Sequence, residues 1–568
     1  MIRTMNDLLR HRAQTQPDDP AYAFVNERGE EEDRLTFAAL DRAARGLAGE
    51  IGQQARPGDR ALLIFPQGLD FIVAWFGCLY AGVIPVPVVS PKRNRLRHST
   101  RAIVEDCRPA LALTTFALLG EVRWEFAGSP AWDAMGWMAA DRRDVLPEGP
   151  PPHDAGPDDV AFLQYTSGST SLPKGVMVGH GNLVANLEMI ERALGNTRNS
   201  TYVSWVPLYH DMGLILNVLQ TLHVGSFCVL MSPNGFMQRP LGWLRAISDY
   251  RAEVAGAPNF AFDLCTARHR PDAMEGIDLS CWKLAFNGAE PVRAETLRAF
   301  AACFAPHGLD AGALYPCYGM AEGTLLLSGG RRDARPVIRA VGRAALQAGQ
   351  AIPAVVATQD VVGCGGELPG ERLAIADPQT GAECAPGTVG EIWAAGPHIA
   401  QGYWNNPAAT AETFQARLAG SGEGPFLRTG DLGFMLDGEL FIAGRLKDVI
   451  IVRGQNHYPQ DIEATAAACH PALRANHAAA FTVGGEGAEK LVIVQEVERV
   501  WRNRADYREL EELVRAAVVA EHELMAHRVT FIRTGSLPKT SSGKVQRRRT
   551  RQLWLDGELE VWGEEVPA

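Results

Sequence analysis

Residues 158–176 read DDVAFLQYTSGSTSLPKGV. The first seven are a strand-like apolar run. The next twelve hold five serines and threonines, two glycines and one lysine, Lys174. A strand that empties into a flexible, hydroxyl-rich loop with one cation suits a polyphosphate. Glycines let the backbone approach the oxygens, hydroxyls and N–H groups donate to them, and lysine supplies charge. The following run, VMVGHGNLVANLEMIERAL (176–194), becomes helical in period after a turn at Gly179–Gly181. The loop is not a Walker A sequence, because Lys174 precedes Gly175 instead of following a glycine and leading into Ser or Thr. GSLPKTSSGKVQRRR (535–549) fails similarly, since Val545 follows Lys544, and VGCGGELPG (362–370) does not complete GxGxxG. Singly, each loop is equally well a surface turn.

The chain's 568 residues are too many for one core, so two or more domains are expected. A net charge of −11 argues against a general nucleic-acid binder. The ten cysteines contain no CxxC pair and fit free thiols in a reducing compartment. MIRTMNDLLRHRAQTQPDD lacks an apolar core for a signal peptide, so a cytoplasmic location is expected. FIVAWFGCLYAGVIPVPVV (71–89) is uncharged and flanked by basic residues, as a membrane span would be. Gly82, Pro85 and Pro87 instead divide it into a buried helix and an extended strand, with no integral membrane association.

Short β-rich runs at 60–65, 83–88 and 110–115 alternate with helical patterns at 71–81 and 96–107, the rhythm of a largely parallel α/β sheet. LPEGPPPHDAGPDD (146–159) is a linker into the hydroxyl-rich loop, and strand-like runs dominate from Pro336 to Leu440. Near 437–463 a glycine-bearing strand meets a charged turn, then a new strand and a helix. About a hundred residues follow, enough for a small α+β domain.

Seven motifs in one order carry more weight than any loop alone: YTSGSTSLPKG (165–175), PLYHDMG (207–213), NGAEPV (287–292), YGMAE (318–322), RTGDLG (428–433), GRLKD (444–448) and PKTSSGK (538–544). The series resembles the adenylate-forming superfamily of acyl-CoA synthetases, luciferases and nonribosomal adenylation domains over nearly the whole chain. GAPNFAFDLC (256–265), GRLKDVIIVRGQNHYPQDIE and an extra stretch at about 330–361 resemble the fatty acyl-AMP ligase branch, as does Ala321, where many superfamily members have threonine. The resemblance implies an α/β fold: a large multi-subdomain N-terminal domain (1–444), a hinge (445–449) and a small mobile α+β C-terminal domain (450–568). It implies ATP and Mg²⁺ as cofactors, a fatty acid substrate and a holo acyl carrier protein as acceptor.

The same resemblance implies residue roles. Thr166, Ser167, Gly168, Ser169, Thr170 and Lys174 would hold the β- and γ-phosphates. Glu322 would bind Mg²⁺. Tyr318, with Gly319, Met320 and Ala321 following it, would stack on adenine, and Gly288, Ala289, Glu290 and Pro291 would form the other wall. Asp431 would accept from the ribose hydroxyls, with Arg445 adding a ribose or phosphate contact. Lys544 would reach the α-phosphate and attacking carboxylate, His210 would sit at the substrate mouth, and Lys447 would be the hinge. Lys539 is expected to be solvated. Met231, Ala257 and Phe260 are candidates for an acyl tunnel or, equally, ordinary core. Arg547, Arg548, Arg549 and Arg551 are either a solvated helix end or a carrier-docking cluster. A fatty acyl-CoA synthetase and a non-catalytic lipid or nucleotide sensor remain open as alternatives. Acyl chain length, the carrier's identity, the pathway and the oligomeric state are not legible.

Overall fold

The structure, a computed structural model, describes residues 2–90, 98–125, 128, 130–143, 147, 149–166, 173–452, 455–484, 490–540 and 543–563. Among these, no helix is long and apolar enough to cross a membrane. The apolar run at 71–89 resolves as expected. Helix Leu69–Tyr80 is buried on all sides except at Asp70, Gly82 turns the chain at φ +72°, and Ile84–Pro87 is a strand. That strand lies at the edge of a four-stranded parallel sheet, beside Arg60–Ile64. An edge tolerates Pro85 and Pro87 because their missing N–H groups interrupt no inner ladder.

A larger sheet of eight strands carries the middle of the chain. Its order is Leu326–Gly329, Leu314–Gly319, Leu284–Gly288, Val254–Pro258, Thr201–Ser204, Phe227–Met231, Pro20–Val25 and Glu31–Thr36. The inner pairs are parallel and both outermost pairs antiparallel. One face packs against helices Phe37–Ile51, Leu69–Tyr80 and His180–Leu194; the other packs on Leu241–Asp249, Asn259–Ala267 and Ala294–Phe304.

Between Asp211 and Gln220 the chain forms an eight-residue π-helix, Met212–Leu219. Its wider turn is supported by Asn217, whose side-chain amide donates to the Met212 carbonyl at 2.9 Å. Gly213 is needed there, because a Cβ would fall 2.0 Å from the Pro207 carbonyl oxygen. Such wide turns recur at functional sites, and this one presents Met212 and Leu216 to the cleft described below.

The C-terminal part builds its own sheet from Leu473–Val483, Lys490–Val497 and Ala526–Ile532. Strand alternation divides it: Leu491 and Ile493 face helices Pro459–Ala468 and Tyr507–His522, while Val492 and Val494 face helix Arg547–Leu555. The chain therefore has a large N-terminal part and a small C-terminal one with its own sheet and core. The extra stretch is a hairpin, Ile338–Gly342 with Thr358–Val362, carrying one short helix, Arg343–Gln347. It packs through Val341, Leu346 and Val361 on Phe434 and Phe441 of a four-stranded antiparallel sheet.

Candidate active site

Of residues 165–175, Tyr165 and Thr166 pair antiparallel with Gly175 and Lys174, in the strands Val160–Thr166 and Lys174–Gly179, and the expected turn at 179–181 is the start of helix His180–Leu194. The strand pairing places Thr166 and Lys174 side by side, on the wall of a cleft of about 2340 Å³. Ser167, Gly168, Ser169 and Thr170 lie outside the described residues.

The cleft runs between the two domains and gathers residues far apart in sequence. His210, Ala289, Glu290, Pro291, Tyr318, Gly319, Met320, Ala321, Glu322, Asp431, Arg445, Lys447 and Lys544 all line it. Gly288 does not; it ends the strand Leu284–Gly288, where a Cβ would meet Cys317 Sγ at 2.8 Å. It lets two strands approach just behind the wall. Ala289 follows at φ +65°, a left-handed conformation that costs an L-residue energy and marks a shaped turn.

Asp431 and Arg445 are cross-strand partners in the pairing of Leu427–Leu436 with Glu439–Arg445. Arg445 Nε lies 3.2 Å from Asp431 Oδ1, and the Tyr318 hydroxyl donates to Asp431 Oδ2 at 2.8 Å. Both carboxylate oxygens are thus oriented from neighbouring elements.

Glu322 is buried, and burial raises its pKa from the ordinary carboxylate value. It accepts from the Tyr403 hydroxyl at 2.9 Å and forms no ion pair among the described residues. Just beyond it, Thr324 adopts φ +66° and ψ −62°, with Leu325 N–H donating to the Gly323 carbonyl at 2.8 Å. This is a strained γ-turn. The fully buried Thr324 hydroxyl pins it by donating to the His398 carbonyl at 2.6 Å.

Lys544 is brought to the cleft by the loop before helix Arg547–Leu555. Its own N–H donates to the Thr540 hydroxyl at 3.0 Å, and its carbonyl accepts from Thr540 N–H at 2.8 Å. Burial, with Arg445 beside it, lowers its pKa, while Asp211, Asp431 and Glu290 act in the opposite sense. His210 Nδ1 lies 2.5 Å from Asp211 Oδ1, and Asp211 also accepts Met212 N–H at 2.7 Å. Burial pushes the Asp211 pKa upward, but His210, the Met212 amide and Lys544 together leave it below the ordinary value.

Several expectations need correction. Lys539 is not solvated: half-buried, its Nζ donates to the Asn476 carbonyl at 2.8 Å, and burial lowers its pKa to about 8. Asn476 in turn donates to Asp263 of the large domain at 3.1 Å. The arginine cluster is not one surface either. Arg547 forms a buried fork with Glu463 and reaches Asp448, and Arg551 donates to the Thr482 carbonyl; only Arg548 and Arg549 are exposed. Of the tunnel candidates, Phe260 lines the cleft, whereas Met231 and Ala257 pack into the core on the opposite sheet face. Two-residue strand alternation puts them there. The apolar wall of the cleft comes instead from Leu216, Phe286, Tyr315, Leu325 and Leu326. Tyr403, which contacts the buried carboxylate, was also missed; its only sequence signal is an aromatic residue after a glycine in AQGYWNN.

Residues 9–404 match the family described as AMP-binding enzyme, and residues 447–564 match the Disco-interacting protein 2-like AMP domain. The chain is 43% identical to the medium-chain-fatty-acid–[acyl-carrier-protein] ligase JamA of Moorena producens, covering 98% of this chain and 96% of that one. Among solved structures, one from a study of fatty acyl-adenylate ligases of E. coli and L. pneumophila superposes with a TM-score of 0.88 at 32% identity, covering 98% of each chain. The L. pneumophila fatty acyl-adenylate ligase in complex with acyl adenylate and pyrophosphate gives 0.76 at 36% identity, covering 99% of this chain and 97% of that one.

Proposed function

The chain belongs to the AMP-binding enzyme family, and we propose that it activates a fatty acid as acyl-AMP and passes the acyl group to the phosphopantetheine thiol of an acyl carrier protein. The observation that carries this reading is the arrival of Lys544, from the small domain, in a cleft that already holds Asp431, Arg445, Tyr318 and Glu322.

In the first step a fatty carboxylate oxygen bonds to the α-phosphorus of ATP and the bond to pyrophosphate breaks. Nucleophile and electrophile are both anionic, so the protein must neutralise charge and hold them in line. Lys544 and Arg445 supply cations at the α-phosphate. Thr166 and Lys174 hold the departing pyrophosphate, and Asp431, fixed by Tyr318 and Arg445, receives the ribose hydroxyls. Ala321 offers no hydroxyl here, which leaves that contact to Lys544 and Thr166. The acyl chain lies along Leu216, Phe286 and Tyr315. Glu322 fits a hard divalent cation: a buried carboxylate on the cleft wall, with no salt bridge among the described residues, suits an ion that takes its remaining ligands from phosphate and water. Mg²⁺ held there would neutralise phosphate charge.

In the second step the thiol of the carrier attacks the acyl carbonyl, loses its proton and expels AMP. Residues 445–449 would be the hinge, with Lys447 exposed on its turn, between domains spanning 1–444 and 450–568. The hairpin 338–362 supports a carrier over free CoA, because it ties the two domains together. Gln359 donates to Asp461 at 2.9 Å, Arg343 pairs with Glu521, and Arg298 of the large domain holds Asp360 at 2.6 Å. Ten free cysteines accord with a cytoplasmic setting.

The test is purified protein with ATP, Mg²⁺ and a fatty-acid series, assayed for acyl-AMP and for thioester with CoA or holo carrier. Lys544→Ala should lower acyl-AMP formation by on the order of 10²–10³ without unfolding the protein. Near-normal adenylation by that variant would overturn the assignment. Efficient acyl-CoA synthesis would favour a CoA ligase, and no adenylation of any acid would favour a sensor.

A further inference from the structure

The geometry points to Tyr403 as a positioning residue that couples the phosphate-loop lysine to the metal-binding carboxylate, an inference that rests on the adenylation reading above. One side chain touches both groups. Its hydroxyl donates to Glu322 Oε1 at 2.9 Å, and Lys174 Nζ sits 4.5 Å from the centre of its ring. Lys174 and Glu322 are thereby held in a fixed relation by a single rigid ring, although 148 residues separate them.

The surroundings fix that ring. Residues 401–404 run beside the strand Lys174–Gly179: Trp404 N–H donates to the Gly175 carbonyl at 2.7 Å, Met177 N–H to the Gly402 carbonyl at 2.9 Å, and Gln401 N–H to the Met177 carbonyl at 3.0 Å. On the other side, Ala400 N–H donates to the Glu322 carbonyl at 3.0 Å. The segment thus bridges that strand and the carboxylate turn through main-chain bonds. Gly402 stands at φ +126°, and a Cβ there would meet the Thr410 methyl at 2.4 Å, so the approach requires glycine. The Thr410 hydroxyl accepts Tyr403 N–H at 2.9 Å, and Phe414 packs edge-on at 5.2 Å. The phenol therefore has one direction available.

The consequence is a division of labour within one residue. The hydroxyl holds Glu322 through Oε1 on the wall of the cleft, where an incoming cation would meet the carboxylate. The ring face stabilises the lysine cation before pyrophosphate oxygens arrive. Tyr403→Phe removes the first interaction and keeps the second; Tyr403→Leu removes both.

The readouts are the Mg²⁺ concentration for half-maximal ATP–pyrophosphate exchange, the KM for pyrophosphate at saturating Mg²⁺, and calorimetric binding of α,β-methylene-ATP across a Mg²⁺ series. Tyr403→Phe should raise the Mg²⁺ requirement, in exchange and in calorimetry, by about tenfold, the effect of losing one hydrogen bond to a buried carboxylate. Its KM for pyrophosphate should stay at the wild-type value. Tyr403→Leu should show the same rise and also raise that KM by about fivefold, the loss of one cation–π contact. An unchanged Mg²⁺ requirement in Tyr403→Phe overturns the inference. So do equal changes in every constant for both variants accompanied by a lowered melting temperature, since packing alone would produce that pattern. If the wild-type protein shows no fatty-acid-dependent ATP–pyrophosphate exchange, the adenylation reading itself falls.

Discussion

Arginine 547 offers a test whose magnitude follows from the structure. Its side chain is 18% exposed and meets two carboxylates, on side chains exposed by 8% (Glu463) and 9% (Asp448). Nε and Nη2 donate to the two Glu463 oxygens at 2.6 and 2.8 Å, and Nη1 donates to Asp448 at 3.2 Å. Three elements meet at this point: helix Arg547–Leu555, helix Pro459–Ala468 and the turn at 446–448. In Arg547→Met the stem volume is kept but two buried carboxylates lose their cation, a change that typically costs about 3–5 kcal/mol. Glu463 Oε1 retains the Ala480 N–H at 2.9 Å, which places the cost near the lower end, about 3 kcal/mol. Taking the proposed small domain, residues 450–568, an unfolding entropy of about 2.1 cal/mol/K per residue converts this to a fall of about 12 °C. Scanning calorimetry of Arg547→Met beside Arg548→Ala and Arg549→Ala provides the measurement, with the two exposed positions expected to stay within about 0.5 kcal/mol of wild type. A loss below about 1 kcal/mol in Arg547→Met, as for a solvated pair, would refute the reasoning.

Leu216→Ala should move the acyl-length optimum of kcat/KM toward longer acids and Leu216→Phe toward shorter ones, by about fourfold per methylene at ~0.8 kcal/mol each; an unchanged profile would remove Leu216 from the acyl wall. Lys539, held at about 8 by burial against an ordinary value of 10.5, binds fewer protons when the domains are closed than when it is solvated. Closure should therefore strengthen as pH rises from about 8 to 10.5 and lose that gain as pH falls through 8. Inter-domain energy transfer would read this slope, and Lys539→Met should flatten it. Replacing Gln359 and Arg343 together by alanine should raise acyl-CoA production about three- to tenfold while leaving acyl-AMP formation unchanged, since part-exposed polar ties contribute modestly. CoA use that does not respond would exclude these ties as the restraint.

The sequence alone determined what depends on neighbours along the chain. Alternating β-rich and helical runs gave the α/β architecture, glycine and proline broke the apolar run at 71–89 into helix and edge strand, and the apolar run before the hydroxyl-rich residues formed the strand Val160–Thr166. The order of seven motifs pointed to an adenylate-forming chain because each motif is local and keeps its place along the sequence. What the tertiary structure decided is which of those local pieces meet. Met231 and Phe286 are both apolar strand residues, yet strand order and a two-residue period send one to the core and the other to the cleft. Asp431 and Arg445 become a pair only through the register of two antiparallel strands. Arg547 reads as surface charge until the fold buries Glu463 beside it, and Lys539 reads as solvated until Asn476 closes over it. Tyr403 has no local pattern at all; it matters because residues 401–404 happen to lie between a strand and a turn that the chain brings together. Local periodicity sets secondary structure, whereas burial, charge pairing and the company of a side chain arise from contacts across hundreds of residues.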